Sequence, residues 1–215
     1  MKEYPKIQSV FKRDEKTHKF LEGEWSLPEF EYLKNNIWTC TEKVDGTNIR
    51  VIWKPTYQKN QGIPFWIEFK GKTENAQIPS FLLKKLEEIF PIHKFIEFYP
   101  DTEMCLYGEG YGAKIQKGGG NYISDGVDFV LFDVWIDEWW LKREDVEDIA
   151  EKLEIKIVPV LGEWILPEAI GYTRTPFRSE WGDFDAEGLV LKPEIDLFAR
   201  NGRRIITKMK TKDFG

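Results

Sequence analysis

Hydrophobic positions in two stretches of the chain recur with helical spacing. Residues 142–153 read KREDVEDIAEKL, and the apolar side chains fall on one face of a helix while charges occupy the rest. A second helix is predicted from Ser80 to Phe90, where Ser80 is placed to cap the first turn and Pro91 stops the last one. The apolar faces expected to turn inwards are Leu82, Leu83, Leu86, Ile89 and Phe90 in one helix, and Val146, Ile149, Ala150 and Leu153 in the other.

Seven other stretches are rich in β-branched and aromatic residues over the length of a strand. Asn48–Trp53 and Pro64–Lys70 are separated by the turn-forming sequence PTYQKNQGI, which predicts a hairpin. Few long helices separate successive strands, and this disfavours a doubly wound parallel sheet. We therefore expect an α+β fold of mostly antiparallel sheets flanked by helices. The remaining predicted strands are Cys105–Gly108, Phe129–Ile136, Ile155–Leu161, Gly188–Lys192 and Arg204–Lys210.

The composition is that of a globular protein. Of 215 residues, 41% are hydrophobic and 32% charged, and the chain holds 9 Trp, 8 Tyr and 15 Phe, which excludes disorder. No apolar run approaches the roughly 18 residues of a membrane-spanning helix, and the charged start lacks the apolar core of a secretory signal. In the absence of repeats or linkers, we expect one domain over residues 1–215 in a soluble, cytoplasmic protein that binds no membrane.

Cysteine and histidine are too scarce for several kinds of site. Cys40 and Cys105 lack the paired spacing of a zinc site, so both thiols are expected to be reduced and buried. Only His18 and His93 are present, which leaves little material for His-rich metal centres or Ser-His hydrolases. The chemistry is therefore expected to depend on lysines and carboxylates.

Charge is segregated along the chain. The net charge of −6 disfavours a protein that coats nucleic acid. Residues 197–212 nevertheless contain no acid, a pattern that suits either an anionic ligand held at one place or a solvated basic face. The six basic residues of this stretch are Arg200, Arg203, Arg204, Lys208, Lys210 and Lys212.

The sequence TEKVDGTNIR, residues 41–50, is the most informative stretch. On an extended backbone Lys43 and Asp45 would share one face, with Glu42 and Val44 on the other, just before Gly46. A surface strand with an Asp-Gly turn would show the same pattern. Four later stretches change this picture: YGEG at 107–110, DFVLFD at 128–133, EGLVLK at 187–192 and ITKMK at 206–210.

In this order, KxDG, YGEG, FD, EGLVLK and KMK resemble motifs I, III, IIIa, IV and V of covalent nucleotidyltransferases. The EKVDGTN form of the first motif is most similar to the RNA ligase 2 family, and FKGKTENAQIP and GYGAKIQKGGGNY look like further motifs of that family. The resemblance covers about Thr39 to Lys212. It implies an ATP-grasp-like nucleotidyltransferase domain, without a separate C-terminal domain.

The resemblance also implies an activity. Family members are ATP-dependent RNA ligases, which would make this an enzyme of RNA repair acting in three steps: a lysine is adenylylated by ATP, AMP moves to a 5′-phosphate end, and a 3′-hydroxyl attacks to release AMP. The expected partners are RNA ends, including nicked RNA/DNA duplexes, and a partner protein that helps to bind substrate. Two alternatives stay open: a noncatalytic module that binds RNA ends or nucleotides, and a GTP-dependent capping guanylyltransferase.

Residue roles carry over from the same resemblance. Lys43 would be the nucleophile, Phe132 would stack on adenine, and Mg²⁺ would be held by Asp45, Glu109 and Glu187. Lys72 stands where the family usually has arginine, and lysine lacks the planar fork of a guanidinium. The full nucleotide-binding set is Glu42, Asp45, Gly46, Asn48, Lys72, Glu109, Phe132, Glu187, Lys192, Lys208 and Lys210.

These roles meet a physical requirement. A lysine amine has an ordinary pKa of about 10.4 and must lose a proton before it can attack phosphorus. Desolvation and nearby positive charge, from a metal ion and from Lys192, Lys208 and Lys210, would both favour that loss. For the acids the alternative is a solvated strand end, and for Phe132 it is ordinary core packing.

Overall fold

A computed structural model of the protein describes residues 3–55 and 65–215. The strands are β1 (Gln8–Ser9), β2 (Phe11–Arg13), β3 (Phe20–Trp25), β4 (Trp38–Glu42), β5 (Thr47–Pro55), β6 (Phe65–Gly71), β7 (Met104–Gly112), β8 (Val127–Ile136), β9 (Trp139–Trp140), β10 (Lys156–Ile157), β11 (Val160–Trp164), β12 (Gly188–Pro193) and β13 (Thr207–Lys210). The helices are α1 (Pro28–Tyr32), α2 (Ser80–Ile89), α3 (Ile92–Phe98), α4 (Gly119–Tyr122), α5 (Arg143–Leu153) and α6 (Leu166–Thr173), and a 3₁₀ turn spans Thr211–Asp213. Within these described ranges no helix combines the length and apolar character needed to cross a membrane.

The chain folds as two compact units. Asp45–Ile157, together with Glu3 and Tyr4, forms what we call the six-stranded unit, after its sheet. Pro5–Val44 and Val158–Gly215 form the five-stranded unit. The expected α+β class with mostly antiparallel sheets is confirmed.

The six-stranded unit is built on the strand order β10-β8-β7-β5-β6, with β9 paired to the edge of β8. All of its pairings are antiparallel except that of β10 with β8. The predicted hairpin is confirmed by the antiparallel pairing of β5 with β6, in which Trp53 lies opposite Ile67. Its turn and the predicted strand start at Pro64 lie outside the described residues.

Helices α2 and α5 cover one face of this sheet with the side chains expected from their spacing. Leu82, Leu86 and Phe90 are buried in the core, as are Val146, Ile149, Ala150 and Leu153. The prediction that Ser80 caps α2 was wrong, because Pro79 is the N-cap residue and Ser80 already occupies the first helical position. Pro91 follows the helix end as expected and is the N-cap residue of α3.

A β-bulge interrupts the pairing of β7 with β8. Tyr107 lies opposite Asp133 while Gly108 lies opposite Leu131, so Phe132 is one extra residue in β8. The core side chains of β8 shift register accordingly, from Phe129 and Leu131 before the bulge to Val134 and Ile136 after it. Phe132 and Asp133 are therefore both turned to the face away from the helices.

The five-stranded unit has the order β1-β13-β12-β4-β11, with β1 parallel to β13 and the other pairs antiparallel. The ribbon β2–β3 is a separate two-stranded sheet of the same unit. A core of aromatic and aliphatic side chains, including Trp38, Cys40, Leu189 and Met209, packs on one face of the sheet.

Two strand predictions required correction. Ile155–Leu161 is not one strand, because Lys156–Ile157 joins the six-stranded sheet while Val160–Trp164 joins the five-stranded one. Arg204–Lys210 forms a regular strand only from Thr207 onwards, and Arg204 makes an isolated bridge with Phe198.

Candidate active site

A carboxylate shared by two lysines is the central feature of the five-stranded unit. The Nζ atom of Lys43 lies 2.5 Å from Oε2 of Glu187, and Nζ of Lys210 contacts Oε1 of the same side chain. The side chains are largely enclosed, with exposed fractions of 19% for Lys43, 12% for Glu187 and 24% for Lys210. The two positive charges exceed the single negative charge that they share.

Strand pairing explains how these three residues meet. Lys43 follows directly after β4, and its backbone N–H donates to the carbonyl of Gly188 at 2.9 Å. Gly188 lies opposite Lys210, and a Cβ atom added to it would stand only 2.1 Å from the carbonyl oxygen of Met209. Glycine therefore allows β13 to approach closely enough for Lys210 to reach Glu187.

Lysines line one face of the same sheet. Lys208 and Lys210 alternate along β13 with the buried Thr207 and Met209, as the spacing in the sequence indicates. Val190 lies opposite Lys208, so Lys192 on β12 shares this face. Two arginines of the basic stretch instead form ion pairs within the protein: Arg203 pairs with Glu29 at 3.0 Å, and Arg204 pairs with Asp196 at 2.8 Å. Those arginines bind carboxylates of the protein itself.

Glu42 occupies the opposite face of β4. Its carboxylate is buried and accepts hydrogen bonds from the Ser179 hydroxyl at 2.5 Å and the Glu180 backbone N–H at 2.8 Å. Burial raises the pKa of Glu42 above its ordinary value, although these two hydrogen bonds partly oppose the rise. The side chain thus anchors the segment around Ser179, and a nucleotide contact by Glu42 stays a prediction.

The strand argument for Lys43 and Asp45 was wrong in its detail. β4 ends at Glu42, so the residues from Lys43 to Asp45 lie in an irregular segment to which strand alternation does not apply. Gly46 is required for close packing, since an added Cβ atom would lie 2.4 Å from the carbonyl oxygen of Gly110. The segment is fixed by contacts and does not follow the geometry of a strand.

In the six-stranded unit, the segment between β7 and β8 holds Asp45 and Gly46 of the TEKVDGTNIR stretch in place. The backbone N–H of Asp45 donates to the Tyr122 hydroxyl at 3.1 Å, and the side-chain amide of Gln116 donates to the Gly46 carbonyl at 3.1 Å. Neither Gln116 nor Tyr122 was selected from the sequence. Both lie within GYGAKIQKGGGNY, the run that resembles a further motif of the RNA ligase 2 family, but no role was assigned to either of them.

Two polar residues of the same unit face each other across paired strands. Asn48 on β5 lies directly opposite Glu109 on β7. The Oδ1 atom of Asn48 is buried and accepts no hydrogen bond from the residues that the structure describes. An enclosed acceptor of this kind next to a carboxylate suits a cationic or hydrogen-bond-donating ligand.

Phe132 is half-buried at the bulge and packs against Tyr4. The two rings are 5.0 Å apart and edge-to-face at 74°, and the Tyr4 hydroxyl donates to Asp133 at 2.5 Å. Core packing therefore accounts for part of the Phe132 side chain. Its stacking on adenine stays a prediction.

Lys72 is exposed in the loop after β6, beside an ion-pair network that the sequence analysis did not find. Arg50 is fully buried, donates from Nε to the Gly71 carbonyl at 2.9 Å and pairs with Glu74 at 3.0 Å. Lys70 contacts the other oxygen of Glu74 at 2.6 Å. The side chains of Arg50, Lys70 and Glu74 thus brace the loop that carries Lys72.

Oxygen ligands are available for a metal ion, although they are few. Among the described residues, no cluster of three or more His, Cys, Asp or Glu side chains is assembled into a cage. Asp45, Asn48 and Glu109 supply oxygen donors in the six-stranded unit, and Glu187 supplies them in the five-stranded unit. Mg²⁺ takes oxygen ligands and usually keeps several waters, so such a sparse donor set fits it.

Solved structures of an RNA ligase are similar to this fold. A lysine-to-alanine variant of Naegleria gruberi RNA ligase with ATP and Mn matches with a TM-score of 0.64 and 19% identity, covering 97% of this chain and 58% of that one. A glutamate-to-alanine variant with ATP and Mn gives a TM-score of 0.65, 18% identity, and coverages of 97% and 57%. The Naegleria gruberi ligase with PPi gives a TM-score of 0.64 and 19% identity, covering 97% of this chain and 62% of that one. The present chain spans less than two thirds of each of these relatives.

The family is shown by sequence. A family model described as RNA ligase matches residues 36–210, so the chain belongs to the RNA ligase family. No curated protein sequence matches the chain.

Proposed function

We propose that this protein is an ATP-dependent RNA ligase that joins 5′-phosphate and 3′-hydroxyl ends through a lysyl-AMP intermediate. Family membership supports the class of reaction. The observation that carries the proposal is the Lys43 amine placed against Glu187, with Lys210 on the same carboxylate. A lysine amine in contact with a carboxylate that can accept its proton has the surroundings that a nucleophilic amine requires.

The first step follows from these contacts. Glu187 is close enough to accept a proton from Nζ of Lys43, and Lys210 contacts the other oxygen of the same carboxylate. The amine then attacks the α-phosphorus of ATP, a P–N bond forms, the bond to the β-phosphate oxygen breaks, and pyrophosphate leaves. Lys208 and Lys210 neutralise negative charge on the phosphoryl oxygens.

ATP and a divalent metal are the proposed cofactors, with Mg²⁺ as the metal. When bound, Mg²⁺ would reduce the negative charge of the phosphates, and Asp45, Glu109 and Glu187 are the acids proposed to hold it. Phe132 is proposed to stack on adenine. The other proposed nucleotide contacts are Glu42, Gly46, Asn48, Lys72 and Lys192.

In the later steps AMP would be transferred to a 5′-phosphate and displaced by a 3′-hydroxyl, which releases AMP and seals the strand. RNA ends, alone or in a nicked RNA/DNA duplex, are the proposed substrates, with a partner protein assisting their binding. Residues 1–215 are proposed to form a single nucleotidyltransferase domain. We assign the protein to RNA repair in the cytoplasm.

Covalent labelling tests the proposal. The protein is incubated with α-labelled ATP and Mg²⁺ and then separated by denaturing electrophoresis, alongside Lys43→Ala and Lys43→Arg. We expect label on the wild-type chain and none on either variant, because arginine preserves the charge but not the nucleophilic amine. Lys34→Ala serves as the matched control and should be labelled normally.

The same experiment separates the alternatives. Label that persists on Lys43→Ala would refute Lys43 as the nucleophile. Label from GTP but not from ATP would favour a capping guanylyltransferase. Saturable ATP or RNA binding without a covalent adduct would favour the noncatalytic module.

A further inference from the structure

A groove of about 510 Å³ opens on the six-stranded unit, between helix α2 and the loop that joins β7 to β8. Helix α2 contributes Phe81, Lys84 and Lys85, and the loop contributes Lys114 and Ile123. Its volume falls within the roughly 300–1,000 Å³ of sites that bind small ligands. The groove contains none of the residues proposed above for ATP or metal.

The charge in the groove is positive. Lys84 and Lys114 form no ion pair with any residue of the described ranges, whereas Lys85 lies 3.8 Å from Glu88 on its own helix. Asp125 is the other acid in the lining. Two ammonium groups on opposite walls, neither of them in an ion pair with a described residue, are suited to successive phosphates of a ligand that lies along the groove.

The groove also offers an apolar platform. The Phe81 side chain is 43% exposed at the start of α2. Ile123 lines the loop side of the same groove. Proteins that bind single-stranded nucleic acid place an exposed aromatic ring next to lysines. A base stacks on the ring, and phosphates pair with the amines.

The loop that forms one wall of the groove is hydrogen-bonded to Asp45 and Gly46 of the TEKVDGTNIR stretch. Gln116 and Tyr122, which lie in this loop, hold Gly46 and Asp45 respectively. A strand in the groove would therefore lie against the same loop that positions Asp45. The loop thus lines the groove with Lys114 and Ile123 and bonds to residues of the proposed active site through Gln116 and Tyr122.

We propose that this groove binds a single-stranded segment of the RNA substrate, with a base stacked on Phe81 and phosphates paired with Lys84 and Lys114. The inference rests on the proposed function, because it names where the polynucleotide lies. It gives the six-stranded unit a strand-binding surface in addition to the nucleotide-binding residues.

Equilibrium binding tests the groove directly. A fluorescein-labelled, 5′-phosphorylated single-stranded oligoribonucleotide is titrated with the full chain and binding is followed by anisotropy. We expect Phe81→Ala to weaken binding by about 5- to 100-fold, the range of one base stack. The double variant Lys84→Glu, Lys114→Glu should weaken binding and lower the slope of log Kd against log salt by about 1.4, for two phosphates.

Matched controls come from the same unit. Lys142→Glu changes an exposed lysine at the start of α5, and Phe98→Ala removes an exposed aromatic ring of α3; both should leave the affinity unchanged. Circular dichroism and thermal unfolding confirm that each variant is folded. The groove variants change exposed side chains, so their folding is not at risk from a lost core contact.

Three results would overturn the groove: wild-type protein that does not bind the oligoribonucleotide, groove variants that bind it as tightly as the controls, or a fully paired duplex that binds more tightly than the single strand. ATP labelling of the wild-type protein separates this outcome from the proposed function. If the wild-type protein is labelled and the groove variants bind RNA with unchanged affinity, only the groove proposal is refuted. If the wild-type protein is not labelled but RNA binding is lost in the groove variants, the proposed ligase activity is refuted and the groove proposal stands.

Discussion

The Nζ atom of Lys43 lies 2.5 Å from Oε2 of Glu187, and this carboxylate is simultaneously held by Lys210. One oxygen of Glu187 is therefore placed to accept a proton from Lys43 while the other stays in contact with Lys210. The relationship joins the proposed nucleophile to the acid of the EGLVLK stretch within one unit.

Glu187→Gln should slow the labelling of the protein by ATP by about 100-fold or more, because the amide keeps the shape of the side chain but is a poor proton acceptor. The initial rate of adenylate formation, measured by quenched-flow or manual sampling, checks this. Glu180→Gln changes an exposed glutamate of the same unit and should keep the wild-type rate. A Glu187→Gln protein that is labelled at the wild-type rate would show that the carboxylate takes no part in the first step.

Tyr4→Phe should lower the free energy of unfolding by about 1–3 kcal/mol. The substitution removes the hydroxyl that donates to the buried carboxylate of Asp133 at 2.5 Å, and a buried acceptor that loses a donor costs this much. Urea denaturation followed by tryptophan fluorescence gives the value. Tyr32→Phe, at a ring that is 87% exposed, is the control. Equal stability of Tyr4→Phe and the wild type would contradict the expectation.

The stability of the protein should fall with rising pH through one identifiable group. Burial raises the pKa of Glu42, so the folded protein retains this proton at pH values where the unfolded chain has released it. The contribution of Glu42 to stability is therefore present at low pH and is lost as pH rises through the folded pKa. Glu42→Gln does not titrate and should gain stability relative to the wild type as pH rises from about 4 to 7.

Ser179→Ala provides the matched test of that assignment. Its hydroxyl lowers the pKa of Glu42 by donating to the charged carboxylate, so its removal should make the pH dependence steeper. Urea unfolding at several pH values measures both variants. A constant difference between Glu42→Gln and the wild type over this range would refute the role of Glu42.

Both cysteine thiols should be unreactive in the folded protein. Burial raises the pKa of Cys40 to about 12 and that of Cys105 to about 11, and both side chains are enclosed. At pH 8 a thiol-specific reagent such as Ellman's reagent should titrate neither cysteine until urea is added, and then both. Rapid reaction of one thiol in the absence of denaturant would contradict the burial of that residue.

Local periodicity predicted much of the fold because most elements bury one face. The apolar positions of α5 and α2 are set by helical spacing, and they line the core as expected except for Leu83, which is half-buried outside the core cluster. Pairing between distant strands is not encoded locally, so the stretch 155–161 looked continuous although its two halves join different sheets. Pro159, which lacks a backbone N–H, was the available signal for a break.

The candidate site was predictable only in part. Motif resemblance selected Lys43, Glu187 and Lys210, but 144 residues separate the first two, and no local pattern shows that both lysines share one carboxylate. The contributions of Arg50 and Ser179 were missed because each acts through a partner distant in sequence, Glu74 for Arg50 and Glu42 for Ser179. Side-chain contacts of this kind depend on the completed fold.

Phe132, the extra residue in β8, lies outside the alternation of side chains that builds the core. If Phe132 were deleted, Leu131 and Val134 would keep their places against the helices, and the ladder with β7 would become regular. Deletion of a neighbouring core residue would instead leave a gap in the apolar layer. The aromatic ring proposed to stack on adenine is thus the one position of this strand that the sheet itself does not need, which leaves it open to change with the ligand and not with the core.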